Sequence, residues 1–246
     1  MRTDGLPLDC TAVTIAGGRT VARKSYYSAS GAPGTGVPPF DELCDGGLLR
    51  LFSYGTDGQG NAKYDFEITR EFLAVCAEVG SYHDFFDVRR IAEADALLKR
   101  YGAKAGKILG LKTSGDAVGN ICIYFRADLP CTRSDISDVV REVSIAAGVK
   151  ESHDCSLPQG EHARLYLVAL DFSREWRKAK FYFRFDGRYP PESIARCLAG
   201  TESHAPAVAI LEQRPLVACL AVALSGDAET YNLYFPPLTD DKRRLM

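Results

Sequence analysis

Short runs of alternating apolar and polar residues recur along the chain in pairs, each pair split by turn residues. Residues 11–15 and 19–27 flank Gly17-Gly18, a tight hairpin signal. Residues 48–54 and 61–69 flank a glycine-rich turn at 55–60, and residues 107–113 and 120–126 flank Ser114-Gly115-Asp116. Residues 164–172 and 178–185 flank 173–176, and residues 216–224 and 231–235 flank Ser225-Gly226-Asp227. These pairs predict five hairpins and ten strands, with turns about 40–60 residues apart, the spacing of a supersecondary repeat.

Helical periodicity fills the gaps. Ser134 is placed to cap a helix carrying Ile136, Val139, Val140 and Val143 at i, i+3, i+4 and i+7. Residues 88–100 carry Ile91, Ala94, Leu97 and Leu98 on one side. Residues 70–79 and 191–198 predict shorter helices, and Pro191 suits a first helical turn. The stretch 28–45 is rich in Gly and Pro and predicts a loop with a short helix near 40–44. The expected order is ββ-(α)-ββ-αα-ββ-α-ββ-α-ββ. That is an α+β fold whose ten-stranded antiparallel meander tends to curl or close, since closure removes sheet edges.

The strand faces bear on closure. In residues 178–185, Lys178, Lys180, Tyr182 and Arg184 alternate with Ala179, Phe181, Phe183 and Phe185. Asn120, Cys122, Tyr124 and Arg126 alternate with Ile121, Ile123 and Phe125. Lys63, Asp65 and Glu67 oppose Tyr64, Phe66 and Ile68, and Asn232 and Tyr234 share a polar face. A sheet with helices on one side and solvent on the other accounts for this alternation. So does a closed barrel coated by helices, with the polar face lining a lumen, and the recurrence of Tyr beside Lys or Arg favours it. Such a lumen suits an anion with an apolar tail: cations and phenols hold phosphate oxygens, and aromatic faces stabilise a carbocation. An allylic diphosphate calls for both.

Composition sets the outer limits. The chain has 246 residues, 46% of them hydrophobic and 25% charged, with a formal net charge of −2. That is a globular composition, and it excludes a general nucleic-acid or membrane-surface binder. A single domain over residues 1–246 is expected. No apolar run reaches the roughly 18–20 residues of a bilayer span, and the first residues lack a signal-peptide core, so a cytoplasmic protein is expected. None of the eight cysteines forms a CxxC pair, so they read as reduced core residues rather than metal ligands. Neither a P-loop nor an Asp-Asp-x-x-Asp motif for binding diphosphate through magnesium is present.

On these residues the chain resembles the soluble aromatic prenyltransferases of the ABBA type, whose fold is the PT barrel. The stretch LDFSREWRKAKFYFRF is similar to the family's Asp-containing strand, turn and (Lys/Arg)-x-Lys-x-Tyr strand. LVACLAVALSGDAETYNLYFPPLTD resembles its closing hairpin. The first hairpin, LDCTAVTIAGGRTVARKSYY, is more similar to the cyanobactin peptide prenyltransferases, with Asp9 and Arg23 at the positions of the base and of a diphosphate-binding cation. Asp9 replaces a usual Glu, and Cys122 stands where a cation is common.

The resemblance implies a ten-stranded barrel with an outer ring of helices. It implies transfer of a dimethylallyl or geranyl group from its diphosphate to an aromatic small molecule or peptide side chain. Arg23, Lys63, Tyr124, Arg126, Lys178, Lys180, Tyr182, Arg184, Asn232 and Tyr234 would bind substrate, and Asp9, Asp65 or Glu67 would accept the proton. Magnesium is compatible with this chemistry but not required. A barrel that only carries an anionic apolar ligand, and an open-sheet interaction module, are the other readings of the same faces.

Overall fold

The computed structural model describes residues 8–28, 34–38, 40–55, 61–68, 71–104, 106–114, 117–132, 135–149, 157–158, 163–185, 191–214, 217, 219–226 and 228–235. Its strands are β1 (Leu8–Ala16), β2 (Arg19–Ser28), β3 (Leu49–Gly55), β4 (Asn61–Ile68), β5 (Lys107–Ser114), β6 (Ala117–Pro130), β7 (Ala163–Phe172), β8 (Arg177–Phe185), β9 (Cys219–Ser225) and β10 (Ala228–Phe235). Each pairs antiparallel with its chain neighbours, and β1 also pairs with β10 through Thr11↔Phe235 to Ala16↔Thr230, so the sheet returns on itself as a closed barrel. No strand is left with a free edge, which removes the usual aggregation hazard of a long sheet.

The helices are α1 (Phe40–Asp45), α2 (Phe72–Tyr82), α3 (Val88–Arg100), α4 (Ile136–Ala146), α5 (Pro191–Cys197) and α6 (His204–Gln213). They pack outside the barrel on the apolar strand faces. Phe66, Phe125, Phe172, Phe181 and Phe183 are buried there with Ile91 and Leu98 of α3 and Val139 and Val143 of α4. Phe72 meets Phe125 edge-on with ring centroids 6.0 Å apart, and Phe86 meets Phe172 likewise at 5.5 Å. Asp87 caps α3 by accepting the Arg90 N–H. Ser134 lies outside the described residues.

Two features differ from the sequence expectation. The last inter-hairpin gap holds two helices rather than one. Helix α6 lacks a clear amphipathic stripe and buries only Ala207 and Leu211, and its Pro206 is tolerated because first-turn N–H groups have no helical partner. The second difference lies in the first hairpin. Gly17 and Gly18 both take positive φ, as a tight hairpin turn requires, and Ala16↔Arg19 and Ile15↔Thr20 pair as a simple register demands. Continued unbroken, that register would set Ala12 opposite Arg23. Instead Thr14 pairs with Ala22, Val21 is left over as a bulge, and Ala12 pairs with Lys24. A one-residue slip exchanges faces. Arg23 therefore lies opposite buried Val13 on the outer face, and Lys24 takes the lumen side.

Candidate active site

The lumen is built from the polar faces of alternating strands. Strand registers carry Lys63 and Asp65 of β4 across to Lys112 and Gly110 of β5, and these to Asn120 and Cys122 of β6. Cys122 lies opposite Asp171 of β7, and Asp171 opposite Lys178 of β8. Lys24, Lys63, Lys112, Lys178 and Lys180 thus gather at one part of the lumen, with Asp65 and Asp171 between them.

The lysines are held close enough to repel. Lys24 is exposed by its surface area, yet the surrounding protein lowers its pKa to about 8, first by burial and then through Lys180, Lys112 and Lys63. Lys178 is also lowered, by burial and then by Lys180, and its ammonium sits 4.3 Å from the Trp176 ring. Burial works to discharge Lys180 too, but the Asp171 carboxylate, its ion-pair partner, more than offsets this and raises the pKa. Lys63 pairs with Asp65 at 2.7 Å and donates to the Tyr124 hydroxyl at 2.5 Å. A compact set of cations outnumbering its acids is an anion site.

Beside the lysines lies an aromatic belt. Tyr124, Tyr182 and Tyr234 follow one another, each ring tilted against the next at 5.9 Å. Burial, then Cys122 and Tyr182, push the Tyr124 hydroxyl well above its ordinary pKa. It therefore keeps its proton while accepting from Lys63. Ala169, Ala221 and Leu167 complete this apolar section. Gly110 is needed in the wall: a Cβ there would come within 2.4 Å of the Cys122 Sγ and 2.8 Å of the Asp65 Oδ1. Asp65 accepts from Lys63 through Oδ2, and its buried Oδ1 has no hydrogen-bond partner among the described residues.

The expected site residues are partly assembled. Lys63, Asp65, Tyr124, Lys178, Lys180, Tyr182 and Tyr234 converge. Asn232 accepts from the Thr14 hydroxyl at 2.6 Å across β1 and β10. Glu67 is exposed, opposite Ile108 on the lumen register. Arg126 and Arg184 lie past the tyrosines, each against Tyr166. Arg23 does not join the site, because the Val21 bulge turns it outward. The Asp9 side chain lies outside the described residues. Lys24, Lys112 and Asp171 were not among the expected binding residues. Lys112 was findable from the face it shares with Gly110 beside Asn120 and Cys122, whereas Asp171 sits on a strand apolar on both faces, which hides its direction.

No family model and no curated protein matches the sequence. Solved structures do. One is 5-dimethylallyltryptophan synthase from Streptomyces coelicolor, 15% identical, covering 93% of this chain and 80% of that one with a TM-score of 0.50. The chain has the aromatic prenyltransferase fold. The apo form of the prenyltransferase PriB is 13% identical and covers 96% of this chain and 81% of that one, with a TM-score of 0.46. The Streptomyces coelicolor enzyme in complex with DMASPP and Trp is 14% identical, covering 95% and 82% with a TM-score of 0.39. In this prenyltransferase fold the lysine cluster and tyrosine belt both face the enclosed lumen.

Among the described residues no three His, Cys, Asp or Glu side chains group as ligands for a metal. Asp65 and Asp171 are each committed to a lysine. Among the described residues this donor set does not fit a magnesium ion held by the protein alone. No helix among the described residues is long and apolar enough to cross a membrane, and the seven described cysteines are free thiols.

Proposed function

We propose that this protein transfers a prenyl group, dimethylallyl or geranyl, from its diphosphate to an electron-rich aromatic acceptor within the barrel. One observation carries this: a lysine cluster and a three-tyrosine belt stand side by side on one enclosed surface. The lysines hold the diphosphate and stabilise the charge that grows on it as the C–O bond breaks. The tyrosine faces shelter the allylic cation through cation–π attraction and keep water away. The acceptor ring attacks that cation from beyond the belt, and its ring proton is then lost to a base.

Glu67 is the base best suited to that proton. Asp65 is tied to Lys63 and buries its second oxygen in the wall beside Gly110. Glu67 shares the β4 lumen face, one step beyond Asp65 on the side away from Lys63, and is exposed there. Asp65 acts instead through Lys63, which it holds against the Tyr124 hydroxyl. Asp9 remains the alternative that the resemblance supplies.

The test is incubation with dimethylallyl or geranyl diphosphate and a panel of indoles, phenols and Trp- or Tyr-containing peptides, followed by mass spectrometry. An acceptor gaining one prenyl mass, together with pyrophosphate, is expected. Tight diphosphate binding with no product across the panel and no pyrophosphate would instead make the barrel a carrier.

A further inference from the structure

The five lumen lysines are not equivalent. Lys63 is bound to Asp65 and to the Tyr124 hydroxyl, Lys180 to Asp171, and Lys178 lies over the Trp176 ring. Lys63, Lys112, Lys178 and Lys180 are half-buried, whereas Lys24 is exposed. Lys24 pairs with Ala12 on β1 and with Gly55 on β3, and neither offers a side-chain acceptor. Among the described residues no acid forms an ion pair with it.

The charged groups acting on Lys24 come from four other strands. Lys180 of β8, Lys112 of β5 and Lys63 of β4 oppose its charge, and Asp171 of β7, the weakest of the four, favours it. Together with burial they bring its pKa to about 8. About half of the amine is then neutral at that pH, against less than about 1% of an ordinary lysine. A neutral amine beside other cations is a nucleophile. The cations that keep it neutral also hold an anion next to it. This arrangement suits a carbonyl electrophile that carries its own phosphate.

We propose that Lys24 is an acylation site, modified by an acyl phosphate whose phosphate group Lys112 and Lys180 hold. The Lys24 amine attacks the carbonyl carbon, the carbon–oxygen bond to phosphate breaks, and its electron pair leaves with the phosphate. The amine gives one proton to that phosphate, so the products are an amide and hydrogen phosphate. Acylation removes one charge from the cluster and sets a neutral group among the remaining lysines. The anion site is thereby weakened in proportion to the acyl phosphate the protein has met. That consequence for prenyl transfer rests on the proposed function; the modification itself does not.

The intact protein is incubated with acetyl phosphate at pH about 8, and acetylation is followed lysine by lysine by peptide mass spectrometry. Lys24 should react about tenfold or more faster than Lys99 and Lys104, exposed lysines paired with Asp95 and Asp128. Inorganic pyrophosphate should suppress the reaction at Lys24 and leave Lys99 and Lys104 unchanged. Lys112→Ala, with an unchanged melting temperature, should slow the reaction at Lys24. After treatment the wild type should lose about tenfold or more in affinity for dimethylallyl thiolodiphosphate. Treated Lys24→Arg, which keeps the charge and has no amine to acylate, should keep its affinity. Lys24 reacting no faster than Lys99 and Lys104, at the wild-type rate in Lys112→Ala, or equally with pyrophosphate present, would overturn the proposal. So would an equal loss of affinity in treated Lys24→Arg, since another lysine then carries the effect. If the untreated wild type binds no thiolodiphosphate while acetyl phosphate still selects Lys24 and pyrophosphate still protects it, the prenyl-transfer reading falls and the acylation site stands.

Discussion

Replacing Lys24 and Arg23 separately by alanine probes the first hairpin at one-residue resolution. The Val21 bulge puts Lys24 in the lumen with Lys63, Lys112 and Lys180 and turns Arg23 outward. Lys24→Ala should weaken dimethylallyl thiolodiphosphate binding by about 1.5–3 kcal/mol, the worth of a charge-assisted hydrogen bond, or roughly 10- to 150-fold in Kd. Arg23→Ala should change it by less than about 0.5 kcal/mol, as surface changes do. Calorimetric titration reads both. Its pH dependence adds a second check. The Lys24 pKa is about 8, and a bound diphosphate favours the protonated amine, so binding takes up a proton above that pH. Affinity should therefore fall as pH rises through about 8, and the slope should flatten in Lys24→Ala. Folding has the opposite sense. The unfolded chain keeps its Lys24 proton up to the ordinary value of 10.5, so it binds more protons than the fold between these values, and this group's contribution to stability rises with pH across that window. An Arg23 variant that loses diphosphate affinity while Lys24→Ala keeps it would refute the bulged register and the lumen assignment with it.

Four further outcomes are expected. Phe181→Ala or Phe183→Ala, both fully buried between barrel and helices, should lose about 3–5 kcal/mol of stability in denaturant melts. Gly110→Ala should destabilise by about 1–3 kcal/mol through overpacking against Cys122 and Asp65, and Cys122→Ala in the same chain should restore part of it. Glu67→Gln should keep thiolodiphosphate affinity and lower turnover by about 10²–10⁴-fold, whereas the same defect in Asp9→Asn with Glu67→Gln silent would move the base to β1. Prenyl transfer should persist in excess EDTA, since the lysines neutralise the leaving group; loss restored by magnesium would contradict this.

The hairpins were legible because alternation and turn residues are local signals. Lys180, Tyr182 and Phe183 already divide into two faces in the sequence, and the structure keeps that division. Arg23 was not legible, because a bulge at Val21 leaves no mark in the residue pattern and yet exchanges the faces of everything after it. Helix α6 escaped notice because its alanines give weak periodicity and Pro206 reads as a breaker. The link between Lys63 and Tyr124 joins strands 61 residues apart, and only the shared barrel face brings them together. Likewise, the sequence grouped Arg126 and Arg184 with the lysines by charge, and only the barrel separates them by position along the lumen.

Pyrophosphate release from dimethylallyl diphosphate, followed with and without an aromatic acceptor under single-turnover conditions, tests the central claim most directly. The wild-type protein should release pyrophosphate in step with appearance of the prenylated acceptor, and Lys180→Ala, which removes the cation paired with Asp171, should slow both together. Diphosphate that binds and dissociates intact from the wild type, with every aromatic acceptor tested and at every acceptor concentration, would contradict the account.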